Sequence, residues 1–74
     1  MKHVNVYGPQ GCGKTRNSEK LRKKYGCHSV VDEGYLSPQA FERAIGGSHR
    51  KLYLTQEPMR EPDVTNIPIE EALR

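Results

Sequence analysis

Eight consecutive residues, GPQGCGKT at positions 8–15, match the pattern G-x-x-x-x-G-K-[ST] at every fixed position. In such a loop the glycines let backbone N–H groups turn inward around phosphate oxygens, and the helix that follows adds a favourable dipole. Lys14 is expected to reach the β- and γ-phosphates of a nucleotide, and the Thr15 hydroxyl is expected to ligate Mg²⁺. This glycine loop (residues 8–15) therefore predicts a site for a nucleoside triphosphate and Mg²⁺. The residues predicted to contact the nucleotide are Gly8, Pro9, Gln10, Gly11, Cys12, Gly13, Lys14, Thr15 and Arg16.

The glycine loop and its flanks, residues 4–17, resemble the P-loop NTPase superfamily, in which a strand precedes the loop and a helix follows it. The resemblance extends, with less specific sequence, to residues 29–34 and 51–56. It implies ATP and Mg²⁺ as cofactors, and it allows slow Mg²⁺-dependent hydrolysis of ATP with Lys14 as a catalytic group. The lid and the acceptor domain of a full nucleotide kinase do not fit within 74 residues.

A second motif is acidic: Asp32 and Glu33 follow two β-branched residues in the sequence Val30-Val31-Asp32-Glu33. It resembles the Walker B segment of the same superfamily, where an acid ends a buried strand. The resemblance implies that Asp32 holds Mg²⁺ and that Glu33 is the catalytic residue that polarises the attacking water. The alternative is a plain strand that ends in an Asp-Glu-Gly turn.

A polar residue, Thr55, closes a third apolar segment. One branch of the superfamily has a further acidic residue after the Walker B acid, at the position of Glu33. In that branch a polar sensor residue ends a strand that lies between the two motif-bearing strands. The resemblance thus implies a spatial order of first–third–second, with Thr55 as the sensor. Sequential packing in the order third–first–second is the rival, and in that case Thr55 only ends a strand.

A dinucleotide-binding fold competes for the same glycines, because Asp32 lies 19 residues after Gly13 and could bind a ribose. That fold requires another glycine where Arg16 stands, and it gives Lys14 and Thr15 no role. The pattern therefore favours the triphosphate site.

The elements that must position these residues follow a β-α-β-α-β pattern. Residues 4–7 alternate apolar and polar side chains, and a helix is predicted over residues 14–25, which lack Pro and Gly. A second helix is expected to begin at Ser37-Pro38, with the hydroxyl as its N-cap. The other strands are predicted at residues 29–31 and 51–55.

This pattern predicts a minimal three-layer, P-loop-like α/β fold with a short parallel sheet of about three strands and right-handed crossovers. We expect residues 1–56 to form the nucleotide-binding domain. Residues 57–74 are acidic and contain prolines, so we expect a C-terminal arm, with a short helix that opens at Pro68.

Length and composition limit the other functions. Only 14 of the 74 residues are Leu, Ile, Val or Phe, so the core is small, and an oligomer or a larger protein partner is expected to support it. No apolar run reaches the roughly 18 residues of a membrane span, and no secretory signal is visible. With only two cysteines, the expected location is the cytoplasm, with both thiols reduced.

The charge is unevenly distributed along the chain. Residues 1–28 carry seven basic and one acidic side chains, whereas residues 29–74 carry five basic and eight acidic ones. A basic first helix can attract nucleic acid or phosphate, although it is also typical of a solvated helix face. Two alternatives to an ATPase therefore stay open. One is an interaction protein in which nucleotide or phosphate is a structural ligand, and the other is a binder of nucleic-acid phosphates.

Overall fold

Strands and helices alternate along most of the chain in a computed structural model, which describes residues 3–11 and 13–74. The strands are β1 (His3–Tyr7), β2 (Ser29–Asp32), β3 (Lys51–Thr55) and β4 (Val64–Pro68). The helices are α1 (Ser18–Lys24), α2 (Pro38–Ala44) and α3 (Ile69–Ala72). A 3₁₀ turn, Glu33–Tyr35, follows β2 directly.

The four strands form one parallel sheet in the order β2-β3-β1-β4. The predicted α/β class with a parallel sheet is confirmed, but the predicted count of three strands is wrong. The additional strand, β4, lies within residues 57–74, where the sequence led us to expect an arm. Because β3 lies between β1 and β2, the first–third–second order is the one observed and the rival order is wrong.

The helix ends are set by local hydrogen bonds. The Ser37 hydroxyl accepts a hydrogen bond from the Ala40 amide at 3.2 Å, so the predicted N-cap of α2 is confirmed. Helix α1 begins at Ser18 rather than at Lys14. A turn precedes it, in which the amide of Ser18 donates to the carbonyl of Thr15, three residues back, at 3.2 Å. None of the helices that the structure describes is long and apolar enough to cross a membrane.

Alternate side chains of each strand face opposite sides of the sheet, and each side has its own apolar cluster. Helices α1 and α3 pack on one face, and α2 packs on the other, so the sheet is the middle of three layers. The first cluster is formed by Val4, Val6, Leu21, Cys27, Leu52, Leu54, Ile69 and Ala72. The second is formed by Val31, Tyr53 and Val64, with Phe41, Ala44, Ile45 and Met59 packed against it.

A buried polar network lies at the centre of the sheet. Asn5, which is fully buried on β1, donates to the Asn66 side chain on β4 at 2.8 Å. The Asn66 amide group in turn exchanges two hydrogen bonds of 2.8 Å with the backbone of Met59. This network fastens the connection between β3 and β4 to the sheet, beside the carboxyl end of β3.

Candidate nucleotide site

The glycine loop leaves the carboxyl end of β1 and is anchored to the neighbouring strand. The amide of Gly8 donates to the carbonyl of Thr55 at the end of β3, at 3.0 Å. Gly11 and Gly13 have φ angles of +82° and +91°, a left-handed conformation that favours glycine. A Cβ on Gly13 would also lie 3.3 Å from the Asn17 side chain. The glycines are thus required by the path of the loop. Cys12 lies outside the described residues.

Lys14 is turned back over the glycine loop. Its ammonium group donates to the carbonyl of Gly8 and, at 3.1 Å, to the carbonyl of Pro9. These carbonyls hold the positive charge at the mouth of the loop, where the sequence predicted that it would meet phosphates.

Thr15 and Asp32 come together across the site. The Thr15 hydroxyl donates to Oδ2 of Asp32 at 2.7 Å, and Oδ1 of Asp32 accepts from the Gly34 amide at 2.9 Å. The carboxylate therefore caps the 3₁₀ turn with one oxygen and contacts the glycine loop with the other. The two residues predicted to hold Mg²⁺ are direct neighbours in the structure.

Glu33 begins the 3₁₀ turn and is exposed to solvent. Its Oε1 accepts a hydrogen bond from the backbone N–H of Gln56 at 3.3 Å. This contact joins the residue after β2 to the residue after β3, and it keeps the carboxylate at the carboxyl edge of the sheet.

Thr55 is only 3% exposed, and its hydroxyl faces the polar network of the sheet. The oxygen lies 2.9 Å from the Asn5 side-chain oxygen and 2.7 Å from the Glu57 carbonyl. A hydroxyl has one proton to donate, so it serves one of these acceptors at a time. A sensor role for Thr55, which stays a prediction, would require its hydroxyl to exchange one of these partners for a phosphate.

A cavity of about 1230 Å³ lies between the glycine loop, the end of β2 and the start of α2. It brings together most of the residues that the sequence selected: Gln10, Gly11, Gly13, Lys14, Thr15, Arg16, Asp32, Glu33 and Thr55. Gly8 and Pro9 do not line the cavity, and their carbonyls accept hydrogen bonds from the Lys14 ammonium group. The sequence analysis missed Asn17, Gly34, Tyr35, Leu36, Pro38, Phe41, Glu42, Leu54 and Gln56, which complete the lining.

Most of the missed residues come from one segment, positions 34–42, which includes the 3₁₀ turn and the start of α2. Tyr35 and Leu36 are 76% and 39% exposed, which is unusual for large apolar side chains beside a cavity. Their signal in the sequence was an apolar pair directly after the acidic turn, before the Ser37 cap of α2. Hydrophobic periodicity does not detect such a pair, because it belongs to neither a strand nor a regular helix.

The lining of the cavity carries charges of both signs, which come from different segments of the chain. Lys14 and Arg16 supply positive charge from the glycine loop and the residue after it, and Asp32, Glu33 and Glu42 supply negative charge from the end of β2, the 3₁₀ turn and α2. An anion with a bound divalent cation fits such a lining, because the anion meets the ammonium and the cation meets the carboxylate.

The donor set also fits a small, hard cation. Mg²⁺ usually retains several waters and takes one or two protein oxygens along with phosphate oxygens. The Thr15 hydroxyl and the Asp32 carboxylate are oxygen donors of this kind. Among residues 3–11 and 13–74 there is no group of three or more His, Cys, Asp and Glu side chains that could enclose a metal ion by themselves.

Comparisons of the chain with protein-family models, with curated proteins and with solved structures give no match.

Proposed function

We propose that this protein binds ATP together with Mg²⁺ in the cavity above the glycine loop and hydrolyses it slowly. The observation that carries the proposal is the 2.7 Å contact between the Thr15 hydroxyl and the Asp32 carboxylate. It joins the last residue of the glycine-loop motif to the acid that ends β2, which is where a phosphate-bound cation would need its ligands.

Triphosphate binding would use the loop backbone and Lys14. The ammonium group now bonded to the Gly8 and Pro9 carbonyls would turn toward the β- and γ-phosphates, exchanging neutral acceptors for charged ones. Hydrogen bonds to charged groups contribute more than those between neutral groups, so this exchange is favourable.

Thr15 and Asp32 would hold the Mg²⁺ ion, with the hydroxyl as a direct ligand and the carboxylate as a direct or water-mediated one. Bound Mg²⁺ neutralises charge on the β- and γ-phosphate oxygens. The hydrogen bond from Gly34 would keep the Asp32 carboxylate in position while its other oxygen changes partner.

Glu33 is the group placed to act on water. Its carboxylate lines the same cavity and is held by the Gln56 amide. It would accept a proton from the water whose oxygen attacks the γ-phosphorus while the bond to the bridging β–γ oxygen breaks. The wide opening of the cavity leaves water poorly excluded, and for this reason the expected turnover is slow.

Titration calorimetry with ATP, ADP and GTP in the presence of Mg²⁺ tests binding. Lys14→Ala should weaken ATP binding by about 1.5–3 kcal/mol, or roughly 10- to 150-fold, because it removes a charge-assisted bond. Lys20→Ala, the same change on an exposed residue of α1, is the control and should bind as the parent does. Equal ATP affinity in the parent and in Lys14→Ala would refute the assignment.

A phosphate-release assay on the same samples separates the two roles of the nucleotide. Release that depends on Mg²⁺ supports hydrolysis. Tight binding without release supports the alternative in which the nucleotide is a structural ligand of an interaction protein.

A further inference from the structure

Three basic side chains form a stripe along the outer side of α1 and the turn before it. Lys20 and Lys23 lie three residues apart on α1, which places them on one side of the helix, and Arg16 lies in the turn four residues before Lys20; all three are exposed. We refer to these three residues as the basic stripe. Three helical residues rise about 4.5 Å, so the two lysines follow one another along the axis.

The remaining basic residues of α1 have partners within the chain. Arg22 forms an ion pair of 2.6 Å with Glu19, and Lys24 donates to the carbonyls of Ala72 and Arg74 at 2.7 and 3.1 Å. Lys20 and Lys23, by contrast, make no ion pair or hydrogen bond within residues 3–11 and 13–74. An ion pair and hydrogen bonds within the chain therefore account for Arg22 and Lys24. They do not account for the basic stripe.

Arg16, at one end of the stripe, lines the cavity of the nucleotide site, and Tyr35 lines the same cavity. Tyr35 is 76% exposed, so most of its ring is free to meet a ligand. Proteins bind single-stranded nucleic acids by combining basic side chains, which contact the phosphates, with exposed aromatic side chains, on which the bases stack.

We propose that a single-stranded nucleic acid binds along this protein, with its phosphates on the basic stripe and one base stacked on Tyr35. The phosphate contacts are sequence-independent, and stacking tolerates every base, so little sequence preference is expected. A single strand fits better than a duplex, because a duplex keeps its bases paired and offers Tyr35 no free base. Arg16 and Tyr35 also line the nucleotide cavity, whereas Lys20 and Lys23 lie outside it. The proposal does not depend on ATP binding.

Fluorescence anisotropy with a 5′-labelled oligothymidylate of about 20 nucleotides tests the stripe, since it follows binding and its salt dependence. Lys20→Gln/Lys23→Gln removes two stripe charges, and Arg43→Gln/Arg60→Gln is the matched control on exposed residues elsewhere. Both double variants lower the net charge by the same amount. The stripe variant should lose about tenfold or more in affinity at low salt. The slope of log K against the logarithm of salt concentration, which is negative, should become shallower by about 1.4. The control variant should bind as the parent does.

Tyr35→Ala tests the stacking contact. It should weaken binding of the oligothymidylate by roughly fivefold or more, and it should leave the weaker binding of a duplex of the same length unchanged. Equal losses for single strand and duplex would overturn the role of Tyr35. Thermal melting of each variant shows that the comparison is between folded proteins.

Other outcomes overturn the whole proposal. These are no binding of the oligothymidylate by the parent, equal losses in the two double variants, or binding to phosphatidylserine vesicles in preference to the oligonucleotide. ATP binding is measured in parallel, and the stripe variant should retain it. If the parent binds the oligonucleotide but does not bind ATP, the proposed function is refuted and this inference stands.

Discussion

The hydroxyl of Thr15 and the carboxylate of Asp32 are 2.7 Å apart, although 17 positions separate them in the chain and β3 lies between the strands that precede them. In a parallel sheet all strands end at the same edge, so a loop after β1 can reach an acid after β2 across the intervening strand. The contact links the two motifs, and it makes the proposed cation site directly testable.

Asp32→Asn should weaken the Mg²⁺ dependence of ATP binding, because it removes a negative charge while it keeps an oxygen that can accept from Thr15. We expect a loss of about 10- to 150-fold for Mg²⁺-ATP and little change for ATP in a chelator, as measured by titration calorimetry. Thr15→Val should show the same pattern, whereas Thr15→Ser, which retains the hydroxyl, should resemble the parent. Asp32→Asn with undiminished Mg²⁺ dependence would contradict the cation site.

Glu33→Gln should reduce phosphate release by about 10²- to 10⁴-fold, because the amide cannot accept the proton of the attacking water. ATP binding should survive, since the substitution keeps the shape of the side chain. Glu42→Gln is the control, because Glu42 is another exposed carboxylate that lines the cavity. Similar turnover in the parent and in Glu33→Gln, or an equal loss in both variants, would remove Glu33 from the mechanism.

The polar network should contribute measurably to stability. Asn5→Ala removes the hydrogen bond from Asn5 to Asn66 and one of the two acceptors near the Thr55 hydroxyl, which should lower the free energy of unfolding by about 1–3 kcal/mol in urea titrations. Asn66→Ala should cost a similar amount, and the double variant should cost less than the sum of the two. Gln39→Ala, on the exposed side of α2, should change stability by less than about 0.5 kcal/mol. Additive losses would show that the two asparagines act separately.

Stability should fall in alkaline solution, first through Cys27. Burial raises the pKa of the Cys27 thiol above its ordinary value near 9, although the nearby Arg50 and Arg22 act in the opposite direction. Burial also raises the pKa of Tyr53 above its ordinary value near 10. The unfolded chain then releases each proton at a lower pH than the folded chain does, so stability is lost as the pH rises past the unfolded values.

Urea unfolding at several pH values between roughly 8 and 10 measures this loss. The slope of the free energy of unfolding against pH gives the number of protons released on unfolding. Cys27→Ala should flatten the slope near pH 9 even though it also removes a core contact. An unchanged slope in Cys27→Ala would show that the thiol has the same pKa in both states.

The glycine loop and Asp32 could be predicted from the sequence, because each depends on short-range chemistry at the end of a strand. Strand β4 could not, because its residues Val64–Pro68 are few and follow two prolines and several acids. What makes them a strand is pairing with β1, including a hydrogen bond between Asn5 and Asn66, which lie 61 positions apart. Local patterns carry no information about such a partner.

The start of α1 and the wall of the cavity were missed for related reasons. The turn before Ser18 includes a hydrogen bond from the Ser18 amide to the carbonyl of Thr15, three residues back, which the helix-favouring composition of residues 14–25 does not reveal. Tyr35 lies in a short 3₁₀ turn, so no periodicity marked it, and only its exposure beside the cavity reveals it.

Strand β1 is the earliest strand of the chain, yet both of its neighbours, β3 and β4, come from much later residues. During synthesis the glycine loop is therefore made before Thr55, whose carbonyl receives the amide of Gly8. Pairings of such long range make folding slow relative to helical proteins of similar size. A chain that has not yet reached β3 thus carries the whole motif without its anchor, and the site gains its shape only when β3 has been added.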